Sequence, residues 1–140
     1  MKIFQHSVPI KESDFDQLGH INNVVYLQWV QDVAEAHWIN VSADSVLNQY
    51  IWVALRHEID YLKEIKPGED IIAETFVKSM EGVKSERITT IKSTQNIIKA
   101  EARTFWCLLN AETKARAIAA ILTWCINDQQ IMALNGLHKK

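Results

Sequence analysis

Ten consecutive residues, Asp14-Phe15-Asp16-Gln17-Leu18-Gly19-His20-Ile21-Asn22-Asn23, hold two carboxylates, an imidazole and three side-chain amides, and a long apolar-periodic segment follows at once. A carboxylate can attack a carbonyl carbon or take a proton from water. The unpaired amides at the start of a helix can hold the negative charge that such an attack creates. An acid, a glycine-containing turn and a helix start, in that order, put both functions in one place. On the residues alone, Asp16 reads equally as a turn-capping acid, Asp14 as a solvated one, and His20 as an imidazole packed beside the helix.

The elements around this turn must position it. Val24, Leu27, Val30, Ala34, Trp38 and Val41 recur at spacings of three and four, the period of a helix with one buried stripe. Asn22 or Asn23 suits the N-cap, where a short side-chain oxygen can accept from a first-turn amide. A helix of roughly eighteen residues is ~27 Å long, enough to cross a small domain. Ahead of the turn, residues 3–10 read as a strand, with Pro9 marking an edge or an irregular end. After the helix comes a short, weakly helical stretch to Gln49. From Tyr50 the period becomes two: Val53, Leu55, His57, Ile59 and Tyr61 share one face, and Ala54, Arg56, Glu58 and Asp60 the other. Lys66-Pro67-Gly68-Glu69-Asp70 is a turn. Residues 71–79, 85–95, 99–109 and 116–127 read as further strands, with residues 79–84 as a loop and a last helical segment ending near Leu134. Short connections imply antiparallel neighbours, and one long helix against such a sheet is an α+β two-layer fold. Phe105, Cys107 and Leu109 alternate with Trp106 and Leu108. Both faces there are apolar, the helix can cover only one, and a second subunit is expected on the other.

A length of 140 residues is that of one domain, residues 1–140. A net charge of −2 with dispersed Lys and Arg excludes a basic surface for nucleic acid or an anionic membrane. No apolar run approaches the ~20 residues of a membrane span, and Met1 to His6 lacks a signal-peptide core. Cys107 and Cys125 lie in apolar runs and read as reduced core thiols of a cytoplasmic protein. His6, Asp14, Asp16 and His20, or the run His57-Glu58-Ile59-Asp60, are the nearest approach to metal ligands. No histidine pair has a zinc spacing, and alternation separates His57 from Glu58, so no metal is expected. No Gly-rich phosphate loop is present.

The stretch Asp14-x-Asp16-x-x-Gly19-His20-Ile21-Asn22-Asn23-x-x-Tyr26-Leu27-x-Trp29 resembles the signature of hotdog-fold acyl thioesterases of the 4-hydroxybenzoyl-CoA thioesterase type. It is also similar to the D-x-D-x-x-x-H-V-N-N-x-x-Y stretch of plant acyl-ACP thioesterases. Ile59 to Asp70 resembles the strand and turn that follow the helix in these proteins. The resemblance implies an antiparallel sheet of about five to six strands wrapped around one long central helix. It implies hydrolysis of an acyl-CoA or acyl-carrier-protein thioester to acid and thiol, without a cofactor, in a homodimer or homotetramer with sites at the subunit interface. Asp16 would be the catalytic carboxylate, the backbone N–H near Asn23 the oxyanion donor, Gly19 the shaper of the turn, and His20 an assisting group. Tyr26 and Trp29 would be core or pocket wall, and Trp38, Trp52, Trp106 and Trp124 core or the lining of an acyl tunnel. Lys84 and Arg87 are candidates for the coenzyme phosphates, with Arg56 and Lys63 behind them. The pattern departs from the plant enzymes at Leu18, where they carry Asn, and from some bacterial relatives at Gln31, where they carry Glu. Asp32 and Glu35 are nearby acids that also suit a polar helix face. Two rivals follow from the same fold: an acyl-thioester-binding module without turnover, and an enoyl-CoA hydratase, whose Asn-Pro segment is missing here.

Overall fold

The computed structural model describes residues 3–115. A first strand, β1 (Phe4–Val8), leads through a single 3-10 turn (Glu12–Asp14) to the long helix α1 (Asn23–Val41). A short helix α2 (Asp44–Gln49) precedes four strands: β2 (Tyr50–Tyr61), β3 (Ile71–Glu81), β4 (Lys84–Ser93) and β5 (Ile98–Asn110). They form one sheet in the order β1-β3-β4-β5-β2, antiparallel throughout. Five strands and one long helix are thus present among the described residues. The expected strand 116–127 and the segment to Leu134, with Trp124 and Cys125, lie outside them. No helix among the described residues is long and apolar enough to cross a membrane.

The helix begins where the sequence supplies a cap: Asn22 Oδ1 accepts from the Val24 N–H at 3.2 Å, with Asn22 itself extended. Helix α1 packs against β1 and β3. Its buried side chains are Tyr26, Trp29, Val30, Val33, Ala34, His37 and Val41. The expected stripe is correct at Val30, Ala34 and Val41 but rotated at the start, where Val24 is 69% exposed and Tyr26 and Trp29 go inward. The two aromatics bury far more surface than Val24 would, and that decides the face. The expected strand at 71–79 is β3, and it alternates, with Ile71, Ala73, Thr75 and Val77 inward. The expected loop at 79–84 is a tight hairpin in which Glu81 pairs with Lys84 across Gly82-Val83.

Parity in β2 is only half as expected. A register shift between Ala54 and Arg56 breaks the alternation, as one extra residue in a bulge must. His57 and Ile59 face the helix side as expected, but Val53 and Leu55 do not. They are 37% and 48% exposed, while Trp52 packs on Val41, Val46 and Leu108. The inner face of the sheet is polar at its centre: Thr75, Thr89 and Thr104 are fully buried, with the Thr75 and Thr89 hydroxyls 3.0 Å apart. The apolar core lies on either side, one part around Val33 and Ile65, the other around Val46 and Leu108.

Candidate active site

Residues 14–22 fold as a miniature hairpin. The Asp16 N–H donates to His20 O at 2.7 Å, the Asn22 N–H to Asp14 O at 2.9 Å, and Phe15 and Ile21 form a bridge between them. Gln17, Leu18 and Gly19 make a three-residue connection. The Gly19 N–H donates to Asp16 O at 3.1 Å, and Gly19 adopts φ +78°, the left-handed position such a loop requires. A Cβ on Gly19 would meet nothing within 4 Å, so the backbone angle, not space, demands glycine there. Phe15 and Ile21 point into the core. By the two-residue period, Asp14, Asp16, His20 and Asn22 share the opposite face.

Each polar residue on that face is held. Asp14 Oδ2 accepts from the Lys11 N–H at 2.8 Å. Asp16 Oδ1 accepts from the Leu18 and His20 N–H groups at 2.9 and 3.0 Å, while its other oxygen takes no bond among the described residues. The turn-capping role and an outward-facing carboxylate oxygen therefore coexist in Asp16. His20 Nε2 lies 2.8 Å from Glu64 Oε2, with both side chains about half exposed. At the helix start the Asn23 N–H finds no partner among the described residues, as expected of a first-turn amide. The Asn23 carbonyl accepts from Tyr61 Oη at 3.3 Å, which ties β2 to the first turn of α1. Beneath it Tyr26 meets Tyr61 and Trp29 edge to face, at centroid distances of 5.1 and 5.3 Å. Burial, reinforced by Tyr61 and Glu69, pushes the Tyr26 hydroxyl up to about 12. It is therefore neutral at physiological pH.

Strand β2 runs back along α1 from this point. Midway, His57 Nδ1 meets Thr104 Oγ1 at 3.1 Å and its Nε2 approaches Gln31 Nε2 at 3.5 Å. Burial holds its imidazole below the ordinary histidine range, so it is neutral at pH 7. Beyond it opens a cavity of about 810 Å³ lined by Trp38, Trp52 and Trp106, with Gln31 and Glu35 on the helix wall. Trp38 and Trp52 meet edge to face at 5.7 Å. The three tryptophans dispersed in sequence thus come together around one space. Gln31 is eight residues into the helix, ~12 Å from its start. A second groove, of about 850 Å³, borders the hairpin on its other side at Gly19, Phe15, Lys11 and Pro67.

The two residues expected at the coenzyme phosphates, Lys84 and Arg87, lie away from the hairpin at residues 14–22. Arg87 is 8% exposed and bonds to His37 Nδ1 at 2.9 Å and Thr75 Oγ1 at 3.1 Å beneath α1, so it is not a surface cation, although it lines the cavity of the three tryptophans. Lys84 is exposed but lies at the β3–β4 hairpin, and Glu81 beside it is ten residues along β3 from Ile71. That is ~33 Å along the strand from the end that meets the hairpin at residues 14–22. Arg56 pairs with Glu58. Residues that sequence reasoning passed over are Glu64, Tyr61 and the Gln31–His57 contact. Glu64 lay inside the stretch that resembled a family motif, but its partner His20 is remote in sequence. Among the described residues no group of three His, Cys, Asp or Glu is placed to hold a metal.

Comparison with known proteins agrees with this fold. Residues 2–108 match the family model for the acyl-ACP thioesterase C-terminal domain. No curated protein sequence matches the chain. Among solved structures, a 1,4-dihydroxy-2-naphthoyl-CoA thioesterase from Synechocystis superposes with a TM-score of 0.75 at 13% identity, covering 89% of this chain and 96% of that one. A thioesterase from Thermus thermophilus, complexed with coenzyme A and Zn, gives 0.72 at 20% identity, over 86% and 95% of the two chains. An acyl-ACP thioesterase from Bacteroides thetaiotaomicron gives 0.74 at 19% identity, over 83% of this chain and 49% of that one. At these identities the likeness establishes the hotdog fold.

Proposed function

The chain belongs to the acyl-ACP thioesterase family through its C-terminal-domain model, and from that premise we propose how its own residues carry out thioester hydrolysis. The observation that supports the reading is the juxtaposition at one end of α1. Asp16 offers an outward carboxylate oxygen, His20 is tethered by Glu64, and the Asn23 N–H has no partner among the described residues. Asp16 takes a proton from water as that water attacks the thioester carbonyl. The Asn23 amide, at the positive end of the helix dipole, holds the oxyanion. Collapse breaks the C–S bond, and the thiolate leaves and receives the proton from Asp16. His20, braced by Glu64, orients the thioester from the same face, and Gly19 gives the turn its shape.

The acyl group runs from Asn23 along the α1–β2 groove, past Tyr26, toward the space between Trp38, Trp52 and Trp106. The thiol arm is pantetheine, shared by coenzyme A and carrier proteins, and lies in the groove where Lys11 takes the part first given to Lys84 and Arg87. Among the described residues strand β2 is an edge of the sheet, with Val53 and Leu55 exposed. Pairing of two β2 edges about a two-fold axis gives a homodimer and covers them. Residues 1–140 form one domain in this reading, in the cytoplasm, in keeping with the buried free thiol of Cys107.

The test is thiol release from short, long and aromatic acyl-CoAs and from acyl-carrier-protein thioesters. Faster release from one carrier names the source of the pantetheine arm. Tight binding of all of them with turnover no better than buffer would refute the hydrolase assignment in favour of a binding module.

A further inference from the structure

We propose that Lys99 is a positioning residue, acting with Glu69 to hold the loop that presents Glu64 to His20. The proposal rests on the reading that the His20–Glu64 pair serves the reaction.

Glu64 lies between β2 and β3, in a segment without regular structure. Its contact with His20 joins two half-exposed side chains, and such a pair contributes only ~0–1 kcal/mol. That is too little to order a loop whose backbone costs about 1–2 kcal/mol per residue to fix. Something else must hold the loop, and Lys99 does so from both of its polar ends. Its carbonyl accepts from the Leu62 and Lys63 N–H groups at 2.9 and 3.0 Å. Its Nζ donates to Glu64 O at 3.0 Å and to Glu69 Oε1 and Oε2 at 2.9 and 3.1 Å. Those contacts match the three donors of an ammonium group. Glu69 closes the ring, since its Oε2 accepts from the Lys66 N–H at 2.7 Å. The Lys66 amide first, and Lys99 next, hold the Glu69 carboxyl below the usual carboxylate range. Ile65, fully buried between these contacts, plugs the loop into the core beside Ile21.

Lys99 is 5% exposed, and burying an ammonium costs several kcal/mol before its partners compensate. An apolar residue at the start of β5 would pack there without that cost. What it would lose is a donor on the Glu64 carbonyl, and with it a fixed origin for the Glu64 side chain. The effect of Lys99 on turnover therefore passes through Glu64.

The experiment is a double-mutant cycle on the full chain, with kcat and KM for thioester hydrolysis measured for wild type, Glu64→Gln, Lys99→Met and the double variant. Each is assayed well below its own unfolding midpoint. Lys99→Met is expected to lower kcat about tenfold with little change in KM, and to do so no longer once Glu64 is Gln. Should Lys99→Met fail to fold, Glu69→Gln, which keeps the side-chain shape, takes its place in the same cycle. Equal losses in both backgrounds, or no loss from the Lys99 or Glu69 variant, would overturn the positioning role while leaving the His20–Glu64 reading intact. An unchanged kcat in Glu64→Gln alone would overturn that reading and the proposal with it.

Discussion

Replacing Asp16 with asparagine separates the two roles this residue combines. In the structure Asp16 Oδ1 accepts from the amides of Leu18 and His20, and a carboxamide oxygen in the same rotamer keeps both bonds. Only their charge assistance is lost, ~1 kcal/mol for each bond. Asp16 is solvent-exposed, so screening cuts the sum to about 1 kcal/mol, or roughly 3 °C in a domain of this size. Loss of a general base costs far more, ~10²–10⁴ in rate, equivalent to about 3–5 kcal/mol of barrier. The variant should therefore unfold within a few degrees of wild type, bind acyl thioester normally, and release thiol at least a hundred times more slowly. Thermal unfolding followed by circular dichroism, ligand binding by calorimetry and a continuous thiol assay read the three quantities separately. A variant that keeps kcat within about threefold of wild type would remove Asp16 from the chemistry and leave it the turn cap that its two amide bonds already make it. A large loss of stability instead would mean that the charge itself holds the hairpin.

Asn22→Ala should cost ~1 kcal/mol in urea unfolding, through the lost bond to the Val24 N–H. It should also lower kcat by displacing the Asn23 amide, whereas Asn22→Asp keeps the cap and the stability. The hydroxyl of buried Tyr26 is pushed from its ordinary 10.0 to about 12, so the unfolded chain ionises first as pH rises. Stability should fall through that window by ~3 kcal/mol, and Tyr26→Phe should remove that part of the slope in urea titrations at alkaline pH. Conversely, Glu69 and Glu74 are held below the usual carboxylate range, the first by the Lys66 amide and Lys99, the second by Lys92 and Gln5. Their contribution is complete above the unfolded value of ~4.3 and is lost as pH falls through the lower folded values. Glu74→Gln should flatten the acid limb of the stability profile. Leu55→Lys adds charge to an exposed edge-strand position and should weaken self-association at least tenfold by analytical ultracentrifugation. A wild-type chain that sediments as a monomer at every concentration would refute the paired-edge dimer.

What could be read from the residues was local. The glycine-containing turn before α1 and a cap at Asn22 or Asn23 each depend on a few neighbouring residues, and their chemistry is carried in the order of the chain; that the turn is a hairpin and the cap is Asn22 came from the structure. The boundaries of α1 and β2 were readable for the same reason, since periodicity and turn residues act over short distances. Errors began where one residue changed a phase. The bulge between Ala54 and Arg56 moved Val53 and Leu55 outward, and Tyr26 and Trp29 outcompeted Val24 for the buried face of α1. Neither event has a signature in its own segment.

The residue types and order of the chain determined that an acid, an imidazole and a helix N-terminus lie together, and with them the fold family. Tertiary structure alone decided what completes that end of the molecule. Glu64 meets His20, Tyr61 reaches Asn23, and Lys99 clasps the loop, because the β5–β2 pairing brings remote segments together. The same packing drew Arg87 under α1 and left Lys84 at the far end of β3. A side chain's charge is known from its letter, but its solvent exposure and its partner are properties of the assembled sheet, which no local pattern encodes.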